Sequence, residues 1–238
     1  MNKKRLGAFA LIYSVLLLAV LVIRIVYVYT ICDRIVPNWF IFYRFTYLTN
    51  GFVLIWLVVF GVCCLSKRVF WIEGYIIKRW LIVSLMLYSA LLFIYFIIGV
   101  SIGGIAFYGD GLRFAFNVLR RLFTYVFTPV IMCICFFVLR KGNRGRETDR
   151  EINAESKIRI ALIALVFPVM YFAINMIIGH TVYYGEGIGA FAYEALDPAL
   201  YVWWLFAAGV VFALIVLFAV ALLISLIYQK SKATYKNN

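Results

Sequence analysis

The sequence predicts an all-α fold, a polytopic bundle of six transmembrane helices with both termini on the cytoplasmic side. Three observations predict it. The chain is 66% hydrophobic with a mean hydropathy of +1.02, whereas soluble domains are about half apolar. Its apolar residues come in six blocks, each close to the roughly 20 residues that cross a bilayer as a helix. Finally, most of the Lys and Arg residues fall at alternate ends of those blocks, which is the bias that marks the cytoplasmic face.

The first span is expected at about 7–30. Lys3, Lys4 and Arg5 precede it, a start that resembles a signal peptide. The apolar run continues too far, however, and no small-residue cleavage site precedes a polar stretch, so it reads as an uncleaved span. Asp33, Arg34 and Pro37 break the chain before a second span at 43–65. Ser66, Lys67 and Arg68 separate that from a third at 80–100. A glycine-rich stretch over 103–113 leads to a fourth at 116–139. The polar, mixed-charge segment 140–157 reads as a solvated loop, followed by a fifth span at 160–179. Gly179 to Pro198 forms the last separator, before a sixth span at 200–227. The length leaves nothing over for a separate soluble domain, so residues 1–238 read as one membrane domain.

Orientation follows from counting. The N-terminus carries three Lys or Arg, the 66–79 loop four, the 140–159 segment seven and the C-terminal tail three. The opposite side holds Arg34, Arg44, Arg113, Arg120 and Arg121, while Arg24 lies inside the first span. The richer face is expected to be cytoplasmic. The 180–199 loop, with Glu186, Glu194 and Asp197 and no Lys or Arg, fits the outside.

The net charge of +13 would point to nucleic acid in a soluble protein, but here the flanking bias accounts for it and no basic segment is long enough to dock a duplex. No internal repeat marks an inverted-repeat transporter. Of the five cysteines, Cys63, Cys64, Cys133 and Cys135 fall near inner span ends and read as small apolar residues. Cys32 has no outer partner for a disulfide. Cys133 and Cys135, two apart on a helix, face different ways, and the single histidine, His180, excludes a multi-histidine metal site. No Walker loop, G-x-S-x-G or H-E-x-x-H motif occurs, and no cofactor or metal is expected.

Polar groups inside a span are costly unless they face the bundle or water, and here they gather in the outer half. Arg44, Thr46, Thr49 and Asn50 open span 2. Asn117, Arg121, Thr124 and Thr128, spaced four, three and four apart, form one stripe on an ideal helix in span 4. Tyr171 and Asn175 are four apart in span 5, which ends at His180. Turned inward, these faces form a polar pocket open to the outside. Several arginines with few acids nearby (Glu194 and Asp197 are the expected counter-charges) point to an anionic ligand such as a fatty-acid carboxylate or a lipid headgroup.

Three segments then resemble a known family. RFTYLTN at 44–50 is similar to an F-T-x-x-[ST]-N signature. TYVFTP at 124–129 stands where a His-x-x-V-x-P-like segment is expected. FPVMY at 167–171, Gly179 and YEALDP at 193–198 resemble Y-P-x-x-Y, then G, then Y-P-F-L-D-P. In this order on six spans the set resembles the Pr6Pr family, bacterial six-span relatives of the androgen-induced-protein membrane hydrolases. The resemblance implies an intramembrane threonine hydrolase acting on esters of hydroxy fatty acids, with Thr46 as nucleophile. It places the base at Thr124, which is not histidine. A threonine hydroxyl needs a nearby base to act as a nucleophile. The expected function is therefore a degenerate relative that binds an anionic lipid or fatty-acid-like ligand through Arg44, Asn50, Asn117, Arg121, Thr124, Tyr171 and Asn175, with membrane lipids as partners. The alternatives are an active lipid-ester hydrolase in which His180 replaces the missing base, and a solute-binding subunit of a transporter, for which no coupling motif is found beyond the small pair Ala10 and Ser14 on span 1.

Overall fold

The structure, a computed structural model, describes residues 3–31, 44–66, 78–101, 111–142, 157–181, 183–184, 188–189 and 197–230. Arg34, Cys32, Gly103, Gly104, Glu186, Glu194 and most of the 140–157 loop lie outside the described residues, as does the side chain of Arg113.

Six helices are long and apolar enough to cross a membrane, and the chain is an integral membrane protein built on them. They are α1 (Lys3–Ile31), α2 (Phe45–Leu65), α3 (Arg79–Ser101), α4 (111–142), α5 (Lys157–Thr181) and α6 (Trp203–Lys230). A two-residue antiparallel pair, β1 (Tyr183–Tyr184) with β2 (Ile188–Gly189), follows α5. The helix bounds agree with the sequence to within a few residues, except that α4 begins earlier. Its first three turns carry Arg120 and Arg121 and are amphipathic rather than apolar, so a hydropathy window misses them. Pro198–Leu200 forms a separate 3-10 turn before α6, and the Asp197 carboxylate caps it by accepting the Ala199 N–H at 2.9 Å.

Among the described residues the most extensive helix pairing is α1 with α2, and two glycines permit its close approach. A Cβ on Gly61 would stand 2.5 Å from Leu11 Cγ and 2.8 Å from the Gly7 carbonyl oxygen. A Cβ on Gly7 would stand 2.5 Å from Cys64 Cβ. Small residues at such crossings let backbones approach, which is how helices gain packing energy where lipid removes the hydrophobic drive. Ala10 and Ser14 on α1 are both buried, and the Ser14 hydroxyl bonds its own helix at the Leu11 carbonyl. α3 packs on α4, α5 and α6, and α6 packs mainly on α5.

The two halves of the bundle differ. One end, where α1 begins and α2 ends, holds an apolar core of Leu6, Leu57, Phe60, Met132, Cys135 and Ile160. Cys63 and Cys64 are buried there too. The other end, where α1 finishes and α2 and α4 begin, holds the buried polar groups. Large apolar side chains on every helix face outward, among them Ile12, Ile55, Ile97, Ile134, Ile177 and Phe212. On a membrane-spanning helix these are lipid-facing positions.

Candidate functional site

The polar half is organised by a defect in α4. Residues Leu122–Phe127 form a π-helical turn between Gly111–Arg121 and Thr128–Gly142. The Thr128 N–H bonds the Phe123 carbonyl, five residues back. In the same register the Thr124 carbonyl would meet residue 129, which is proline and has no N–H. The π turn therefore stops there, and the Thr124 carbonyl has lost its donor in both registers. A buried carbonyl in this position must find a partner from outside its helix.

Asn50 of α2 supplies it. Its Nδ2 donates to the Thr124 carbonyl at 3.3 Å and to the Thr46 carbonyl, one turn back on its own helix, at 2.7 Å. Its Oδ1 accepts from the Thr128 hydroxyl at 2.8 Å. The Thr128 hydroxyl in turn shares a 2.8 Å hydrogen bond with the Tyr13 phenol of α1. The Thr128 hydroxyl also lies 2.9 Å from the Phe123 carbonyl, so its one proton serves Asn50 Oδ1 and that carbonyl between them. Tyr13 also reaches the Phe123 carbonyl at 3.1 Å. The amide thus joins α2 to α4, Thr128 carries the network on to α1, and Asn50, Thr128 and Thr124 are almost wholly buried.

The π turn corrects one sequence expectation. Asn117, Arg121, Thr124 and Thr128 form a single stripe only if α4 is ideal. The extra residue in the turn rotates everything before it by about 100° relative to Thr128, since an α-helix turns by that much per residue. Phe123, not Thr124, lies one turn from Thr128. Thr124 is buried with its hydroxyl back-bonded to the Arg120 carbonyl at 2.9 Å. Asn117 and Arg121 are half-buried.

Thr46 is buried, and its hydroxyl meets the Tyr125 hydroxyl of α4 at 3.2 Å. Tyr125 is held by rings of α3, with Tyr95 and Phe96 each 5.8 Å away between centroids. Tyr171 of α5 caps α2 from outside, its phenol oxygen accepting the Phe45 N–H at 3.1 Å, one of the donors that a helix start leaves open. Around this cap Phe45, Phe52 and Tyr88 each pack on Phe167 at centroid distances of 5.0–5.4 Å. Arg44 stands exposed at the start of α2, within electrostatic range of Tyr171. Asn175 is fully buried and donates to the Tyr171 carbonyl at 2.9 Å.

His180 is not brought to this site. It is exposed, with Nδ1 2.7 Å from the Met176 carbonyl of its own helix. Tyr171, which touches the start of α2, lies nine residues earlier, or roughly 13 Å along the axis.

Four contributors escaped the sequence reading of the site. Tyr13 and Tyr125 sit in runs where a tyrosine reads as part of an apolar span. Arg24 reads as a charge inside the first span and Arg120 as a span-mouth charge, yet Arg120 is within electrostatic range of Arg24, Arg121, Tyr47 and Tyr125. The Arg120 Nε is buried and has no hydrogen-bond partner in the structure. Asp197 is the one acid among the described residues.

Two apolar crevices open between helices. One, of about 500 Å³, lies between α3 and α4 and is lined by Ala90, Phe93, Pro129, Cys133 and Phe137. The other, of about 310 Å³, lies between α5 and α6 beside Pro168, Phe172, Phe206 and Gly209. No group of three or more metal-ligating side chains occurs among the described residues.

No protein-family model matches the chain, and neither a curated protein nor a solved structure matches it.

Proposed function

We propose that this protein binds an anionic lipid or a fatty-acid-like ligand in an intramembrane pocket that opens to the outside of the cell membrane. The observation that carries this reading is the gathering of Arg24, Arg120 and Arg121 beside a buried network of amides and hydroxyls. Cations inside spans are expensive, and they mark ligand or ion paths where they recur together. The crevice beside Pro129 begins about 13 Å along α4 from Arg120, at 1.5 Å per residue. That spacing suits a ligand with a charged head and an apolar tail.

Both termini lie on the cytoplasmic side in this reading, because the Lys and Arg count favours that face. The motifs at 44–50, 124–129 and 167–198 support a place among the Pr6Pr proteins as a member without hydrolase chemistry. Thr124 occupies the base position, and it is a hydroxyl engaged with its own helix. The distance of His180 from the start of α2 argues against a relocated base.

The reading is tested by equilibrium binding in nanodiscs of zwitterionic lipid, with a fluorescent fatty acid as the probe and unlabelled anionic lipids as competitors. Saturable binding that weakens at least about tenfold in Arg121→Gln, the loss of one charge-assisted contact, supports it. Partitioning that never saturates, or that is unchanged in the variant, refutes it.

A further inference from the structure

We propose that α4 is a two-register switch. Its π turn converts to the α register, which turns the outer arm, Gly111–Arg121, by about 100°. The turn exchanges an aromatic contact with α1 for a polar stripe. The device belongs to α4 itself and goes beyond the ligand reading.

The structure holds the π register. Phe123 lies in line with Thr128, five residues on, and its ring stacks on Tyr13 at 6.1 Å with the planes 5° apart. The Phe123 carbonyl takes the Thr128 N–H, the Thr128 hydroxyl at 2.9 Å and the Tyr13 phenol at 3.1 Å. Arg121, two residues before Phe123, falls on the opposite side of α4. In the α register the Thr128 N–H returns to the Thr124 carbonyl, four residues back. Thr124 then takes the place of Phe123. Arg121 and Asn117, seven and eleven residues before Thr128, fall in line with it. The arm also moves about 1.5 Å outward, the rise of one residue.

Pro129 makes the choice of register depend on side chains. It has no N–H, so it leaves one carbonyl without a helical donor either way: Thr124 in the π register, Tyr125 in the α register. Asn50 Nδ2 reaches the Thr124 carbonyl at 3.3 Å. Tyr13 and Thr128 hold the Phe123 carbonyl, so the wild type rests in the π register. Packing lets only one end of α4 turn. Beyond the π turn, Ile131, Met132, Cys135, Phe136 and Leu139 are buried in the core. Before it, the arm packs chiefly on α1 among the described residues, and Leu112, Phe114 and Leu119 are exposed. The arm starts at Gly111, with φ +54° and open space where a Cβ would stand, a joint that glycine takes up without strain. A ligand that grips Arg121 selects the α register, because only there does Arg121 share the face of Thr128.

The test measures spin-label distances in the purified full-length protein in nanodiscs. Labels are attached through a genetically encoded ketone residue at Leu119 on the arm, paired with Ile97 on α3 or with Val22 on α1, all exposed positions. A turn of about 100° moves a label on the helix rim by roughly 8 Å. The wild type should give one distance for each pair. Asn50→Leu and Tyr13→Phe each remove a donor that holds the π register. Each should add a second discrete distance in at least one pair, populated to about 10% or more, the upper range of a minor state. Tyr13→Phe, which loses only a hydroxyl, keeps the test decisive if Asn50→Leu does not fold. Folded variants that keep the single wild-type distance in both pairs would overturn the switch. A broad smear of distances would overturn it too, since that is fraying of the arm rather than a second register.

Discussion

Asn50 Oδ1 accepts the Thr128 hydroxyl at 2.8 Å while Asn50 Nδ2 reaches the Thr124 carbonyl at 3.3 Å. One side chain thereby stitches α2 to α4 across the π turn that Pro129 terminates. Removing it leaves the buried Thr124 carbonyl without its donor, while the Thr128 hydroxyl keeps the Phe123 carbonyl at 2.9 Å and the Tyr13 phenol. Asn50→Ala should cost about 1–3 kcal/mol, the usual penalty for orphaned buried groups. Thr128→Val should cost less, because hydrogen bonds between membrane helices average about 0.6 kcal/mol. Reversible unfolding in mixed detergent micelles gives both values. An Asn50→Ala midpoint equal to that of wild type would show that the network does not hold the helices.

The proline supplies an independent check. In Pro129→Ala the new N–H can continue the π register and satisfy the Thr124 carbonyl, which is the job Asn50 Nδ2 does in the wild type. Asn50→Ala should therefore be less damaging in a Pro129→Ala background, by about 1 kcal/mol, the net value of one hydrogen bond. A double-mutant cycle measures the difference directly. Strict additivity would contradict the assignment of the Thr124 carbonyl as the orphan.

The α1–α2 crossing predicts a contrast between glycines. A Cβ on Gly61 would meet the Gly7 backbone oxygen at 2.8 Å, and backbone cannot swing aside as a side chain can. Gly61→Ala should destabilise the protein by about 1–3 kcal/mol, as overpacking does. Gly209 has open space around its Cβ position, so Gly209→Ala should be neutral or slightly stabilising through its better helix propensity. Thermal stability in detergent distinguishes the two.

Much of this was legible in the sequence. The six spans follow from block length and charge, and Thr46, Asn50, Thr124 and Asn175 do turn inward to buried positions. The rest was hidden for identifiable reasons. A 3.6-residue period places Arg121, Thr124 and Thr128 on one stripe, and only a structure reveals that Pro129 ends a five-residue turn instead. Tyr13 looks apolar in a window of Leu, Ile and Val, because its hydroxyl matters only once Thr128 is opposite it. Arg24 and Arg120 are 96 residues apart in the chain, and no local pattern reports a pairing set by the register of α1 on α4. His180 illustrates the converse, a residue whose chemistry attracts attention in sequence but whose place on α5 separates it from Thr46.

That separation makes a prediction about reactivity. A threonine whose hydroxyl meets a phenol, with the imidazole roughly 13 Å further along a neighbouring helix, has no strong base in line. A fluorophosphonate probe should leave the folded wild type unlabelled. Labelling that disappears in both Thr46→Ala and His180→Ala would restore the hydrolase reading.

The central claim is that the arginine end of the bundle holds an anionic ligand, and native mass spectrometry of the gently purified protein tests it most directly. The wild type should retain an anionic lipid adduct through activation that strips zwitterionic lipid. The variant Arg24→Gln/Arg120→Gln/Arg121→Gln, confirmed as folded by its helical circular dichroism, should lose that adduct. An unadorned wild type, or the same adduct on both proteins, would contradict the claim.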